Sequence, residues 1–196
     1  MVCRRKNKAA QMRFFSDIEQ VDISENTVLA LGKFDGLHLG HRRLIAAMVS
    51  EKEKRGAGYI TCALLVCPPG SESDGLISEE GRLALLERLG VDCAVRLVLD
   101  EKYVNMPAEA FLRDVLVEKL HMKVLVAGPD LSFGRGGEGN AALIEKISPG
   151  LGFKFRMIEK ETFRGEDISS SRIRQCLQSG KTAEAEVMLG EKKWTE

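Results

Sequence analysis

From Val28 onward the chain alternates short apolar, β-branched runs with longer stretches in which apolar residues recur at helical spacing. That alternation constrains the fold more than any other feature, because strands joined by crossover helices lie parallel and need helices on both faces. Strands are expected at Val28–Leu31, Ile60–Val66, Ala94–Leu99, Val124–Ala127 and Phe153–Ile158. Between them, Leu44, Ile45, Met48 and Val49 share one helix face, and a second helix, Glu79–Leu89, is stopped by Gly90. A third helix starts from Pro107, a residue suited to a first turn, and runs to about Leu120. Ile173 and Leu177, then Ala183–Leu189, make a helical tail around Gly180. The expected class is α/β, a doubly wound parallel sheet with a helical C-terminal appendage. Residues 1–26 are read as an N-terminal segment, 27–190 as one domain and 191–196 as a tail.

Charge and composition narrow the function. Twenty-nine Lys and Arg balance twenty-nine Asp and Glu, so no global positive field draws the chain to nucleic acid or an acidic membrane. An anionic ligand must therefore be held by a local site. Apolar stretches such as Ile60–Val66 fall far short of the roughly 20 residues of a membrane helix, and a soluble protein is expected. Cys3, Cys62, Cys67, Cys93 and Cys176 form no CxxC pair, which favours buried thiols in the reducing cytoplasm over disulfides or zinc. The basic start, Met1 to Lys8, lacks an apolar run behind it and reads as a solvated tail.

The stretch from Gly32 to His41 (GKFDGLHLGH) joins the first strand to the first helix. Ligands of parallel sheets bind at the carboxyl ends of strands, where a helix N-terminus offers free backbone N–H groups to phosphate. With His41 opening the helix, His38 lies one turn earlier and both imidazoles face one anion, while Gly40 leaves room between them. Two imidazoles can donate to phosphate oxygens and offset charge that builds during phosphoryl or nucleotidyl transfer. The competing reading is a turn whose histidines bond neighbouring backbone. Zinc is set aside, since only Asp35 lies near and a stable site wants three or four ligands. Asp35 itself could hold Mg²⁺, bond a ribose hydroxyl or cap the turn, and Lys33 is equally open.

Two further clusters follow. At the start of a C-terminal helix, Ser169, Ser170, Ser171, Arg172 and Arg174 join hydroxyls, N–H groups and guanidiniums, a combination suited to a polyphosphate and also to an ordinary N-cap with exposed arginines. After the fourth strand comes a glycine-dense loop containing Asp130, Phe133 and Gly134 and ending at Asn140. It can wrap a ligand, with Asn140 bonding phosphate or ribose; Asn140 can equally be a plain helix cap.

Together, His38-Leu39-Gly40-His41 and Ile168-Ser169-Ser170-Ser171-Arg172-Ile173-Arg174 resemble the paired phosphate motifs of the nucleotidylyltransferase superfamily, which has a Rossmann-like fold. With Gly-x-Phe-Asp-Gly before the histidines and Gly128-x-Asp130-x-x-Phe133-Gly134 between the two motifs, the chain from about Val28 to Gly190 resembles the FMN adenylyltransferase module of prokaryotic FAD synthetases. The resemblance implies ATP and FMN as substrates, FAD and pyrophosphate as products, and Mg²⁺. It implies that His38, His41, Asn140 and Arg174 act on the reacting phosphates. Gly32, Phe34, Asp35, Gly36, Gly40, Ser169, Ser170, Ser171 and Arg172 would bind ATP, and Pro68, Asp130, Phe133 and Gly134 would face the flavin.

Some positions depart from the family pattern. Val66-Cys67-Pro68-Pro69-Gly70 stands where relatives carry a Phe-x-Pro-His-Pro-like stretch of the flavin site, Leu131 replaces an aromatic, Ser171 replaces Thr, and Asp167 stands where a basic residue is usual. Bifunctional relatives continue into a riboflavin kinase barrel, which this sequence does not contain; either FMN is expected from a separate kinase, or the sequence is the first part of a bifunctional enzyme. Two alternatives are carried along: a related nucleotidyltransferase with another phosphorylated acceptor, and a non-catalytic binding module for flavin or adenine nucleotide.

Overall fold

The computed structural model describes residues 11–70 and 75–191; the expected N-terminal tail, Met1 to Lys8, and the end of the chain from residue 192 lie outside them. Six strands form one parallel sheet: β1 (Arg13–Phe15), β2 (Asn26–Gly32), β3 (Tyr59–Cys67), β4 (Cys93–Val98), β5 (Met122–Ala127) and β6 (Lys154–Met157). Their spatial order is β1-β4-β3-β2-β5-β6. The chain winds outward from β2 through β3 to β4, then returns to the other side of β2 for β5 and β6. The carboxyl ends of β2 and β5 are thus the switch point, where open α/β sheets bind ligands.

Alternation along the strands sorts the core into two layers. Leu29, Leu31, Cys62, Leu64, Val95 and Leu97 face one side of the sheet, and Val28, Ala30, Ala63, Leu65 and Ala94 face the other. The second face is covered by α1 (Leu39–Arg55) and α2 (Glu79–Arg88), which contribute Ile45, Met48 and Leu86. Over the first face lie α3 (Glu101–Val104), α4 (Ala108–Ala110) with the helical segment Phe111–Lys119 that continues it, and α5 (Ala141–Leu151). The expected single helix from Pro107 to Leu120 changes pitch on the way. From Phe111 its hydrogen bonds span five residues, as in Leu120 N–H to the Val115 carbonyl at 3.1 Å, and this places Phe111, Leu112, Val115 and Leu116 together against the sheet.

Residues 1–26 were expected to precede the folded unit, yet β1 pairs with β4 in the register Arg13 to Cys93, and Arg13 bonds Glu25 at 2.8 Å. The sheet therefore begins well before residue 27. The C-terminal appendage comprises a short hairpin, β7 (Thr162–Phe163) with β8 (Glu166–Asp167), followed by α6 (Ser170–Gln178) and α7 (Thr182–Met188). Phe163, Ile168, Ile173, Ala185 and Met188 form its own small core, and Leu39 at the start of α1 packs against it. That contact brings the N-terminus of α6 beside the N-terminus of α1. Among the described residues no helix is long and apolar enough to cross a membrane.

Candidate active site

The loop from β2 to α1 is strained. Phe34, Gly36 and Leu37 all have positive φ, at 49°, 74° and 43°. A non-glycine residue held there costs of order 1–3 kcal/mol, and such strain clusters at ligand clamps. Gly36 is required twice over, because an added Cβ would also lie 2.8 Å from the Leu76 side chain. Phe34 turns into the core, fully buried, and backs the His41 ring at 5.2 Å rather than lining a nucleotide pocket.

His38, not His41, opens the first helix. It is the N-cap of α1, its Nδ1 accepting the His41 N–H at 3.4 Å. The two imidazoles stack with centroids 3.8 Å apart. Gly40 makes this possible, since a Cβ there would sit 3.2 Å from the His38 ring. Burial lowers His38 from its ordinary 6.5 to about 4, with the nearby Asp35 charge opposing the shift. Burial, reinforced by His38, lowers His41 to about 3. Both rings are therefore neutral at pH 7, as close stacking demands. His41 Nδ1 is buried without a hydrogen-bond partner, an unmet capacity that a ligand could use.

The histidines line a cavity of about 470 Å³ at the switch point. Gly32 and Gly40 share it with Ser169 and Ser170 from the start of α6, and with Asp130 after β5. Two helix N-termini thus converge on one space, which favours an anion there. Leu31, Leu44, Leu131 and Ile158 give it an apolar wall fit for a nucleobase. Lys160 holds Asp130 at 3.3 Å and Asp167 at 2.8 Å across its edge, so the unusual Asp167 is occupied by a cation.

A second cavity, about 630 Å³, lies over β3 and β4 and shares Lys33 and Ser170 with the first. It receives Asp35, Pro68, Ser171 and Arg174. The Asp35 carboxylate accepts the Leu76 N–H at 2.6 Å and pairs with Arg174, while Ser170 Oγ donates to the Asp35 carbonyl at 3.0 Å. These bonds clamp the β2–α1 loop to α6.

The remaining expected residues line neither cavity. Arg172 points away, its guanidinium donating to the carbonyls of Glu166 at 2.8 Å and Asp167 at 3.3 Å. Phe133, expected to face a flavin, is buried instead, its ring 6.0 Å from Phe111 and pressed on Gly139. Gly134 lets that loop pass against Ala108. Asn140 is exposed and caps α5, its side-chain oxygen accepting the Leu143 N–H at 3.0 Å. The sequence reading passed over Arg82, Arg96 and Lys160, which line the cavities. Arg96 carried a signal: it is a charge inside a strand whose neighbours Val95 and Leu97 are fully buried. As for metals, no group of three or more His, Cys, Asp or Glu among the described residues could hold an ion.

A Rossmann-like α/β sheet with two helix N-termini and a histidine pair around its switch-point cavity defines the class of fold and site, one whose geometry suits a phosphate-bearing ligand. The chain belongs to the FAD synthetase family, whose model matches residues 20–172. It is 34% identical over 175 residues to the bifunctional riboflavin kinase/FMN adenylyltransferase of Escherichia coli K12, a match covering 85% of this chain and 55% of that protein. The protein of the same name from Bacillus subtilis is 30% identical over 174 residues, covering 84% of this chain and 54% of the relative. The chain thus spans about half the length of these curated relatives. A crystal structure titled macrolide-efflux protein from Streptococcus pneumoniae shares the fold, with a TM-score of 0.78 and 22% identity over 91% of this chain and 61% of that one.

Proposed function

We propose that the chain transfers AMP from MgATP to FMN, giving FAD and pyrophosphate. One observation carries this reading: the stacked pair His38 and His41 at the N-terminus of α1 faces Ser169 and Ser170 at the N-terminus of α6 across a single cavity. Adenosine lies against the apolar wall of that cavity and the phosphates cross between the two helix ends. An oxygen of the FMN phosphate attacks the α-phosphorus in line, forming the new P–O bond as the bond to the β-phosphate oxygen breaks. The nucleophile is already anionic, so no base is needed, and catalysis rests on positioning and charge stabilisation. The neutral imidazoles donate N–H groups without presenting a second positive charge to each other. Arg174, steered by Asp35, offsets charge on the departing pyrophosphate. Mg²⁺ bound with the triphosphate would supply further charge neutralisation there; among the described residues no group of three or more His, Cys, Asp or Glu could hold an ion by itself. The reaction is assigned to the cytoplasm.

A second reading is favoured by the acceptor side. Phe133 is turned into the core, and no Phe, Tyr or Trp lines either cavity, so stacking on an isoalloxazine ring is missing from the described residues. That suits a transferase with another phosphorylated acceptor. The deciding experiment incubates the protein with MgATP and FMN, riboflavin in parallel and His41→Ala as the blank. FAD from FMN alone supports the first reading. ATP binding without FAD formation refutes it and leaves the second.

A further inference from the structure

The second cavity holds more positive charge than the reaction above uses. Among the described residues its lining carries Lys33, Arg82, Arg96 and Arg174 beside Asp35 and Glu79. Arg82 donates to the Lys33 carbonyl at 3.1 Å and reaches Glu79 at 3.5 Å, and Arg96 pairs with the same Glu79 carboxylate. One carboxylate thus serves two guanidiniums. The Nε atom of each arginine is buried and makes no hydrogen bond. A planar guanidinium is suited to holding two phosphate oxygens at once and stays charged when water is excluded. Val66, Pro68 and Ile77 are the apolar lining, and no aromatic side chain joins them, which argues against a base or flavin ring.

We propose that Arg82 and Arg96 form an anion subsite for the terminal phosphates of the nucleotide, which they hold as pyrophosphate when it leaves. This rests on the adenylyl-transfer reading only for the origin of the anion. The route is continuous: the two cavities share Lys33 and Ser170, so a phosphate chain beginning beside the histidines passes over Ser170 and Ser171 to Arg174 and on to the arginine pair. Holding the product there would make pyrophosphate a strong inhibitor and a good substrate for the reverse reaction, FAD plus pyrophosphate giving FMN plus ATP.

The test is calorimetric titration of inorganic pyrophosphate, ATP, AMP and FMN into the wild-type chain and into Arg82→Met, Arg96→Met and Arg96→Lys. Pyrophosphate and ATP are expected to bind at least ten-fold more weakly to both Met variants, with partial recovery in Arg96→Lys. AMP, which lacks the terminal phosphates, should bind unchanged and so reports that each variant is folded. Unchanged pyrophosphate affinity in Arg82→Met and Arg96→Met overturns the proposal. So does a loss confined to FMN, which would give the arginines to the acceptor's phosphate. Loss of pyrophosphate binding in the variants of a protein that makes no FAD keeps the subsite and refutes only the choice of acceptor.

Discussion

Burial of the histidine pair should make the protein lose stability at mildly acidic pH. In the unfolded chain each imidazole titrates near 6.5, whereas burial holds His38 at about 4 and His41 at about 3. Between those values the unfolded state binds more protons, so stability falls as pH drops through 6.5 and goes on falling to the folded value. Each histidine can cost up to about 1.4 kcal/mol per pH unit in that window. From pH 6.5 to 5.0 the pair should together remove about 3 kcal/mol, a large part of the roughly 5–15 kcal/mol typical of a domain. Glu19 and Glu51, each lowered to about 2 chiefly by hydrogen bonds from Lys102 and Arg55, contribute stability lost only below about 4.5. The interval above pH 5 therefore isolates the imidazoles. Urea unfolding followed by far-UV circular dichroism at pH 6.5 and 5.0 measures the loss, and His41→Asn should lose about half as much as wild type. Equal losses in the two proteins would refute the assignment of His41 as a buried neutral ring.

Three further outcomes are expected. Gly36→Ala combines positive φ with a contact on Leu76 and should cost about 2 kcal/mol, read as a fall of roughly 4–8 °C in melting temperature. Asn140→Asp keeps the oxygen that caps α5, so stability should hold; it replaces an amide donor with a negative charge, so kcat should drop at least ten-fold if Asn140 reaches the phosphates, and an unchanged kcat leaves it as a cap alone. Asp35→Ala removes the acceptor of the Leu76 N–H and the partner of a part-exposed Arg174; most of an expected loss of about 1–3 kcal/mol comes from the former, and urea midpoints report it.

What the sequence revealed follows the range of the forces involved. Strands β2 to β5 announced themselves because burial on both faces demands nearly continuous apolar runs, and the histidine motif because its spacing is local. Strand β1 did not, since three residues pairing with Cys93–Val95 some eighty positions away leave no local trace. The change of pitch at Phe111 was hidden because Phe111-Leu112-Val115-Leu116 also reads as an ordinary helix face. Site residues divided similarly. His38, His41, Ser170 and Arg174 sit at positions that helix ends dictate. The direction of Phe133 or Arg172 is decided by tertiary neighbours, Phe111 and Gly139 for the first and the Glu166 carbonyl for the second.

The clamp from Asp35 to Ser170 and Arg174 spans 135 and 139 residues of sequence. On a ribosome adding about 5–20 residues each second, Asp35 waits on the order of ten seconds for its partners to be made. During that interval the β2–α1 loop has its contacts with Leu76 and the core but lacks its bonds to α6. On the proposed function, nucleotide binding by a nascent chain awaits the docking of α6, and ligand binding during synthesis would time its arrival.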